Sequence, residues 1–498
     1  MERRLSPLLT DLYQLTMAQA YWLNGRSSHE AVFHLYFRKA PFAGGYAVAC
    51  GLADVLDFLD GYQFLPAELD YLATLPGDDG RPLFDERFLR HLGELRLHVD
   101  VDAMPEGTVA FAQEPLLRVR GPILEAQLLE TTLLNLINFQ TLAATKASRI
   151  AFAAQGDPVL EFGLRRAQGP DGGLSASRAA YVGGCAATSN VLAGQRFGIP
   201  VRGTHAHSWV MSFDTEREAF QAYADVMPNN TVFLVDTYDT LQGVRTAIEV
   251  GRLLKARGRR LGGIRLDSGD LAWLSIEARR LLDEAGFSDA AIVASNDLDE
   301  NIIAALKQQG ARIGVWGVGT KLATSHDQPA LGGVYKLAAV RDTPAHPWRY
   351  RVKVSEQAAK ISTPGVHQVR RFRAPDGRFV ADMIFNQEAG PVARPAYIVD
   401  PLDMTRRRPL EPSLIGEDLL VPVVRAGSRI YVTPRLADAR ARALAQLQNL
   451  SPWCKRLVNP HEYPVGLEPA LAALRMELLV EARNRKGAPV DAVAGGIQ

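Results

Sequence analysis

From residue 157 onward the chain repeats one unit, a short apolar stretch followed by a long amphipathic run. The short stretches are PVLEFG (158–163), IPVRG (199–203), TVFLVD (231–236), LGGIRLD (261–267), AAIVAS (290–295) and ARIGVWGVG (311–319). Runs such as TLQGVRTAIEVGRLLKARG and DLAWLSIEARRLLDEAG lie between them. Strand-then-helix alternation predicts a parallel sheet, open or closed into a barrel. Each strand candidate leads into a polar cluster: Glu161 to Arg166, Thr204 to Ser208, Asp236 to Asp239, Arg265 to Asp270, Ser295 to Asp297 and Gly317 to Lys321. In a parallel architecture all strand C-termini share one face, so clusters distant in sequence meet there. Loop solvation alone makes strand ends polar, but two arginines, a histidine pair and repeated aspartates exceed that need. The clusters read as a barrel active site.

The remainder is organised around this unit. A length of 498 residues allows about three domains of ~150 residues, or one large α/β domain with appendages. Residues 1–123 read as an α+β module: Thr10 can cap LYQLTMAQAYWL, Asn24-Gly25 ends that helix, AVFHLYFR alternates like a strand, and LRLHVDVDAM, TVAFAQ and LLRVRG are strand-like. Residues 124–156 carry apolar residues at helical spacing and form bridging helices. The barrel domain is expected over 157–400. A C-terminal extension over 401–498, packing back on the N-terminal domain, would contain a hairpin in LLVPVVRAGSRIYVTP, a helix in ADARARALAQLQNL and a frayed tail from 484.

Charge and cysteine usage exclude several functions. Lys+Arg is 56 against Asp+Glu 55, so no whole-molecule field gathers nucleic acid or an acidic membrane, and any anion must be bound locally. Asp11 and Gln14 interrupt the only signal-like stretch, and no uninterrupted apolar run approaches the ~18 residues a membrane span needs. Cys50, Cys185 and Cys454 lie far apart without CxxC spacing, which fits a reducing compartment, the cytoplasm, and gives neither a disulfide framework nor a zinc knuckle.

Several clusters suggest specific chemistry. In GTHAHS, His205 and His207 point to the same side of an extended segment. They suit a metal-dependent hydrolase. They also suit phosphoryl or proton chemistry at one imidazole, oriented by a carboxylate such as Asp236, or a hydrogen-bonded loop. IRLDSGDL places Arg265 and Asp267 on one side of a strand and Ser268-Gly269-Asp270 at a helix start, where a carboxylate can accept from a ribose diol. VGTK (318–321) offers backbone donors and a helix start to a phosphate, without Walker A spacing and without GxGxxG after the first strand. Phe162 and Tyr13 can each present an aromatic face to a flat ring, with burial in the core as the alternative for Phe162. Arg165 and Arg166 can hold a carboxylate or pyrophosphate, or be solvated.

Read together, TDLYQLTM (10–17), EFGLRRAQGPDGG (161–173), GTHAHS (203–208), VDTYDT (235–240), IRLDSGDL (264–271), VASNDLDE (293–300), GVGTKL (317–322) and PALGGVYKL (329–337) resemble, in this order, the nicotinate phosphoribosyltransferases. The resemblance runs from about residue 8 to about 410, with a further echo in NPHEYPVGL (459–467). It implies an N-terminal α+β sandwich, an irregular parallel α/β barrel and a homodimer with active sites shared between subunits. It also implies a reaction: nicotinate and phosphoribosyl pyrophosphate give nicotinate mononucleotide and pyrophosphate, with Mg²⁺ and ATP hydrolysis, in NAD salvage.

Residue by residue, His207 matches the histidine that becomes phosphorylated, while His205 falls at a variable position. Tyr13 from the partner subunit and Phe162 would sandwich the pyridine ring. Arg165 and Arg265 would hold the carboxylate and phosphates, and Asp267 the ribose diol. Asn296 and the backbone of Gly317, Gly319 and Thr320 would cradle the 5′-phosphate. Thr204, Ser208, Ser268 and Gly269 would line the substrate pocket, and Asp236 would orient His207 or help hold Mg²⁺. Nicotinamide is the alternative substrate; Ser189 and Asn190, where an amide-using enzyme would more readily need an acidic acceptor, favour the acid.

Overall fold

The computed structural model describes residues 4–390 and 395–486 and contains three large sheets. The parallel one is the expected repeat. Its strands run, in spatial order, Ala187–Thr188, Val159–Glu161, Val315–Val318, Ala291–Ala294, Gly263–Leu266 and Val232–Leu234. Helices Thr240–Ala256, Leu271–Glu284 and Glu300–Gln308 follow the strands that begin at Val232, Gly263 and Ala291. Phe233, Ile264 and Trp316 are fully buried, as expected for strands covered on both faces.

Sequence and structure differ at one edge. The expected strand over 199–203 forms only a bridge, Val201 to Thr188. Its ladder partner, the two-residue strand Ala187–Thr188, is too short for periodicity to reveal. Beyond that bridge, Leu234 N on the far edge strand donates to His205 Nε2 at 3.3 Å. No backbone ladder joins the edges among the described residues.

The second sheet is antiparallel, in the order Arg349–Tyr350, Gly333–Arg341, Glu30–Phe37, Pro115–Pro122, Asp100–Ala103, Val421–Arg425, Ser428–Arg429. Its interior strand EAVFHLYF (Glu30–Phe37) is buried at seven of eight positions, which an antiparallel strand allows only when both faces are covered. The third sheet runs Arg407–Pro409, Tyr397–Val399, Val465–Leu467, Phe379–Asn386, His367–Arg373, Ile415–Asp418.

The domain boundary expected at residue 400 is therefore corrected. The α/β repeat ends with the short helix Thr320–Ala323, and from Gly333 the chain returns to pair with Glu30–Phe37. The bridging segment is two helices, Ile123–Leu128 and Glu130–Ala153. Asp11, not Thr10, occupies the cap of helix Leu12–Leu23, and Thr10 instead bonds the Gln14 side chain. The helix expected over 437–450 spans Leu436–Asn449. Of the tail, 487–498 lies outside the described residues, as do Met1 to Arg3. No helix among those described is long and apolar enough to cross a membrane.

Candidate active site

Three successive strand ends share one local plan. Asp239, Asp270 and Asp299 each cap the following helix, accepting from Gln242 N at 2.7 Å, Trp273 N at 3.1 Å, and Asn301 N and Ile302 N at 2.9 and 2.8 Å. Such caps satisfy otherwise orphaned helix donors. Three residues before each cap stand Asp236, Asp267 and Asn296, at the strand end itself. The recurrence of an acidic or amide residue three positions before an aspartate cap is visible in the sequence, and it separates helix-starting aspartates from site-facing ones.

Arg265 is the centre of the cluster. Its Nε donates to Ser295 Oγ at 2.7 Å, Nη1 to Thr204 Oγ1 at 3.0 Å and Nη2 to Asp267 Oδ1 at 2.9 Å. Its guanidinium carbon also lies 5.7 Å from the centroid of the Phe162 ring. Ser295 donates to the same Asp267 oxygen. Burial works to raise the Asp267 pKa, but the Ser295 hydrogen bond and the Arg265 charge outweigh it and hold the carboxyl below its ordinary value.

His207 opens the helix His207–Met211 and is part-exposed. Its Nδ1 lies 3.1 Å from Thr237 Oγ1, while Nε2 is 3.7 Å from Asp267 Oδ2 and 4.0 Å from Asp236 Oδ1. The expectation that Asp236 orients His207 is therefore corrected, because 4.0 Å is beyond hydrogen-bond range and Thr237 fills that place. Asp236 Oδ2 accepts from Asp267 N at 3.0 Å and Ser268 Oγ at 2.5 Å, whereas buried Oδ1 has no hydrogen-bond donor.

Glu216, first residue of helix Glu216–Val226, is a further carboxyl that sequence reading passed over. Burial first, then the charges of Asp236 and Asp239, push its pKa up to about 7. No local motif marks it. His205 is not a counterpart of His207: its ring is buried, accepts from Leu234 N, and packs edge-on against Tyr223 at 5.0 Å. Among the described residues no three His, Cys, Asp or Glu side chains are grouped to hold a metal ion.

The loop after Val315–Val318 interlocks with Phe162. Phe162 N donates to Val318 O at 2.8 Å. A Cβ on Gly317 would meet the Phe162 ring at 2.6 Å, so this glycine makes room for the ring. Gly319 and Thr320 lie at the start of helix Thr320–Ala323, and Lys321 Nζ donates to Asp299 Oδ2 at 2.6 Å. Asn296 adopts φ 105°, rare for a residue with a side chain. Gly269 takes its turn at φ 79°.

Other expected residues make none of the hydrogen bonds that hold this cluster together. Arg165 and Arg166 are exposed on the short 3₁₀ turn Leu164–Arg166, and Ser208 is exposed on the His207 helix. Tyr13, 47% exposed, has Asp11, Glu130 and Thr131 as neighbours, none of them a member of the cluster in its own chain. Asn190 is buried, capping helix Val191–Phe197 at Ala193 N (3.2 Å) and donating to Ser177 Oγ (3.1 Å).

Comparison with known proteins accounts for most of the chain. The family model for the nicotinate phosphoribosyltransferase (NAPRTase) N-terminal domain matches residues 8–138, and that for the C-terminal domain matches 366–475. Nicotinate phosphoribosyltransferase of Bacillus subtilis (strain 168) is 42% identical over 489 residues, covering 96% of each chain. The Homo sapiens protein of the same name is 38% identical over 525 residues, 94% of this chain and 96% of its own. The crystal structure of human nicotinic acid phosphoribosyltransferase superposes with a TM-score of 0.81 at 36% identity, covering 94% of this chain and 99% of that one.

Proposed function

The chain belongs to the nicotinate phosphoribosyltransferase family, and from that premise we propose that it joins nicotinate to phosphoribosyl pyrophosphate, coupled to ATP hydrolysis through a phosphohistidine at His207. The product, nicotinate mononucleotide, enters NAD salvage. The observation that carries this reading is the convergence on Arg265: Thr204, Ser295 and Asp267, from three separate loops, all bond one guanidinium beside the Phe162 ring.

The chemistry follows from that arrangement. The pyridine nitrogen attacks the ribose C1, the bond from C1 to the pyrophosphate oxygen breaks, and the transition state resembles an oxocarbenium ion. Fixed charges and an in-line pyridine lower that barrier. A guanidinium over the Phe162 face suits a ring bearing a carboxylate better than one bearing a carboxamide, which favours nicotinate over nicotinamide. Asp267, held ionised, can accept from the ribose hydroxyls. The backbone of Gly319 and Thr320 and, on the loop after the neighbouring strand, Asn296 would receive the 5′-phosphate.

In the coupled step a His207 nitrogen attacks the γ-phosphorus of ATP, the bond to the bridging oxygen breaks, and ADP leaves. The added charge, about −1.5 to −2, then lies against Asp267 and Asp236. Mg²⁺, when bound, neutralises the pyrophosphate. Asp236 fits that role because its buried Oδ1 has no donor, and magnesium is usually held by one or two carboxylates plus substrate phosphates. The six-stranded parallel sheet, with Leu234 N on one edge donating to His205 beyond the other, is read as an irregular barrel. Exposed Tyr13 would complete the site of a partner subunit in a homodimer. Pyrophosphate release measured with nicotinate, nicotinamide and quinolinate, each with and without ATP, tests the whole reading. A preference for either other acceptor overturns the substrate, and ATP-independent turnover overturns the coupling.

A further inference from the structure

Asp299 does more than begin a helix. One of its oxygens caps Glu300–Gln308 through Asn301 N and Ile302 N, and the other accepts from Lys321 Nζ at 2.6 Å. Lys321 belongs to helix Thr320–Ala323, directly after Gly319. Asp299 lies three residues after Asn296, whose backbone is held at φ 105°. A strained residue of this kind persists only where its surroundings over-determine it. The Asp299 carboxylate thus ties the loop carrying Asn296 to the loop carrying Gly319 and Thr320.

The tie is anchored on its far side. The next residue, Glu300, is buried between Lys146 and Arg149 of the long helix Glu130–Ala153, at 2.8 and 2.9 Å. The start of helix Glu300–Gln308 is therefore fixed both to the α/β sheet and to the helix that bridges the modules. Asp299 itself is 4% exposed and Lys321 is half-buried, so their ion pair is shielded from salt more than a surface pair would be.

We propose that Asp299 and Lys321 are positioning residues for phosphoribosyl pyrophosphate, a strut that sets the spacing of the two loops receiving its 5′-phosphate. This rests on the reading that those loops hold that phosphate. Neither Asp299 nor Lys321 hydrogen-bonds Phe162 or His207, and the Lys321 loop reaches Phe162 through Val318, on the strand side of Gly319, so loss of the strut falls first on phosphoribosyl pyrophosphate. Asp299→Asn keeps a competent helix cap while removing the charge, and Lys321→Met removes the other partner without touching the cap.

The test is calorimetric binding of phosphoribosyl pyrophosphate with Mg²⁺ to wild type, both single variants and the double variant, alongside steady-state kinetics for each substrate. Each single variant is expected to weaken binding and raise the KM for phosphoribosyl pyrophosphate about tenfold, with the double variant no worse than either single, as coupled residues require. The KM for nicotinate and kcat should stay within about twofold. Unchanged binding in Lys321→Met, or equal losses for both substrates, overturns the strut while leaving the enzyme's activity standing. A wild-type protein that fails to bind phosphoribosyl pyrophosphate overturns the underlying reading as well.

Discussion

Arg265 Nη1 lies 3.0 Å from the Thr204 hydroxyl, 61 residues away in the chain. The two residues come from opposite sides of the parallel sheet: Thr204 follows the segment bridged to the edge strand Ala187–Thr188, and Arg265 stands on Gly263–Leu266, one strand from the other edge. A planar guanidinium fork satisfied by three different acceptors cannot be replaced by an ammonium, which is a point charge on a flexible stem. Arg265→Lys is therefore expected to lower kcat/KM at least about 100-fold, since charge-assisted hydrogen bonds contribute ~1.5–3 kcal/mol each. Its thermal midpoint should fall as well, because the same bonds hold three loops together. A variant with near wild-type kcat/KM would remove Arg265 from the centre of the site.

His207 offers a sharper test. With Nδ1 at 3.1 Å from Thr237 and Nε2 open towards Asp267, the part-exposed ring can receive a phosphoryl group. His207→Ala should abolish incorporation of label from γ-labelled ATP, and Thr237→Val should reduce it by about tenfold through loss of one orienting hydrogen bond. Full labelling of the His207 variant would place the acceptor elsewhere.

Gly317→Ala tests the Phe162 platform. The added Cβ would sit 2.6 Å from the Phe162 ring, so the ring must tilt or the strand must shift. Overpacking of this kind costs ~1–3 kcal/mol. If the ring carries the pyridine, the KM for nicotinate should rise about tenfold while that for phosphoribosyl pyrophosphate changes less than the nicotinate value. An unchanged KM for nicotinate would put the ring binding site away from Phe162.

Much of this cluster is legible in the sequence, because parallel strand ends must converge and the residues there announce themselves chemically. Asp236, Asp267 and Asn296 could also have been separated from Asp239, Asp270 and Asp299 by their common three-residue spacing to a helix start. Other features had no local signal. Gly333–Arg341 looks like a continuation of the repeat, yet pairs with Glu30–Phe37 across some three hundred residues of chain, and only the folded topology supplies that partner. Ala187–Thr188 spans a single period of alternation, too little to mark a strand. The roles of Thr237, Ser295 and Glu216 depend on distances between loops, which residue type and spacing do not encode.

Acid sensitivity is expected from a place remote from the chemistry. His34 on Glu30–Phe37 and His367 on His367–Arg373 stack with ring centroids 4.0 Å apart, joining two of the sheets. His367 N donates to His34 Nε2 at 3.1 Å, so that nitrogen must be unprotonated, and His367 Nε2 lies 3.0 Å from Pro364 O. Burial first, then the neighbouring positive charges, lowers both pKa values, that of His367 to about 4. Because the folded values lie below the ~6.5 of an unfolded chain, the unfolded state binds more protons over that interval. Stability is therefore fully present above about pH 6.5 and falls as pH drops towards 4, with His367 alone contributing a loss of roughly 3 kcal/mol. Denaturant unfolding at pH 7, 6 and 5 should show the decline. NMR of ¹³C-labelled histidine should show the imidazoles of His34 and His367 staying neutral through pH 6. Two rings titrating normally near 6.5 would mean that the stacked pair admits a proton in the folded state, and the predicted loss would then vanish.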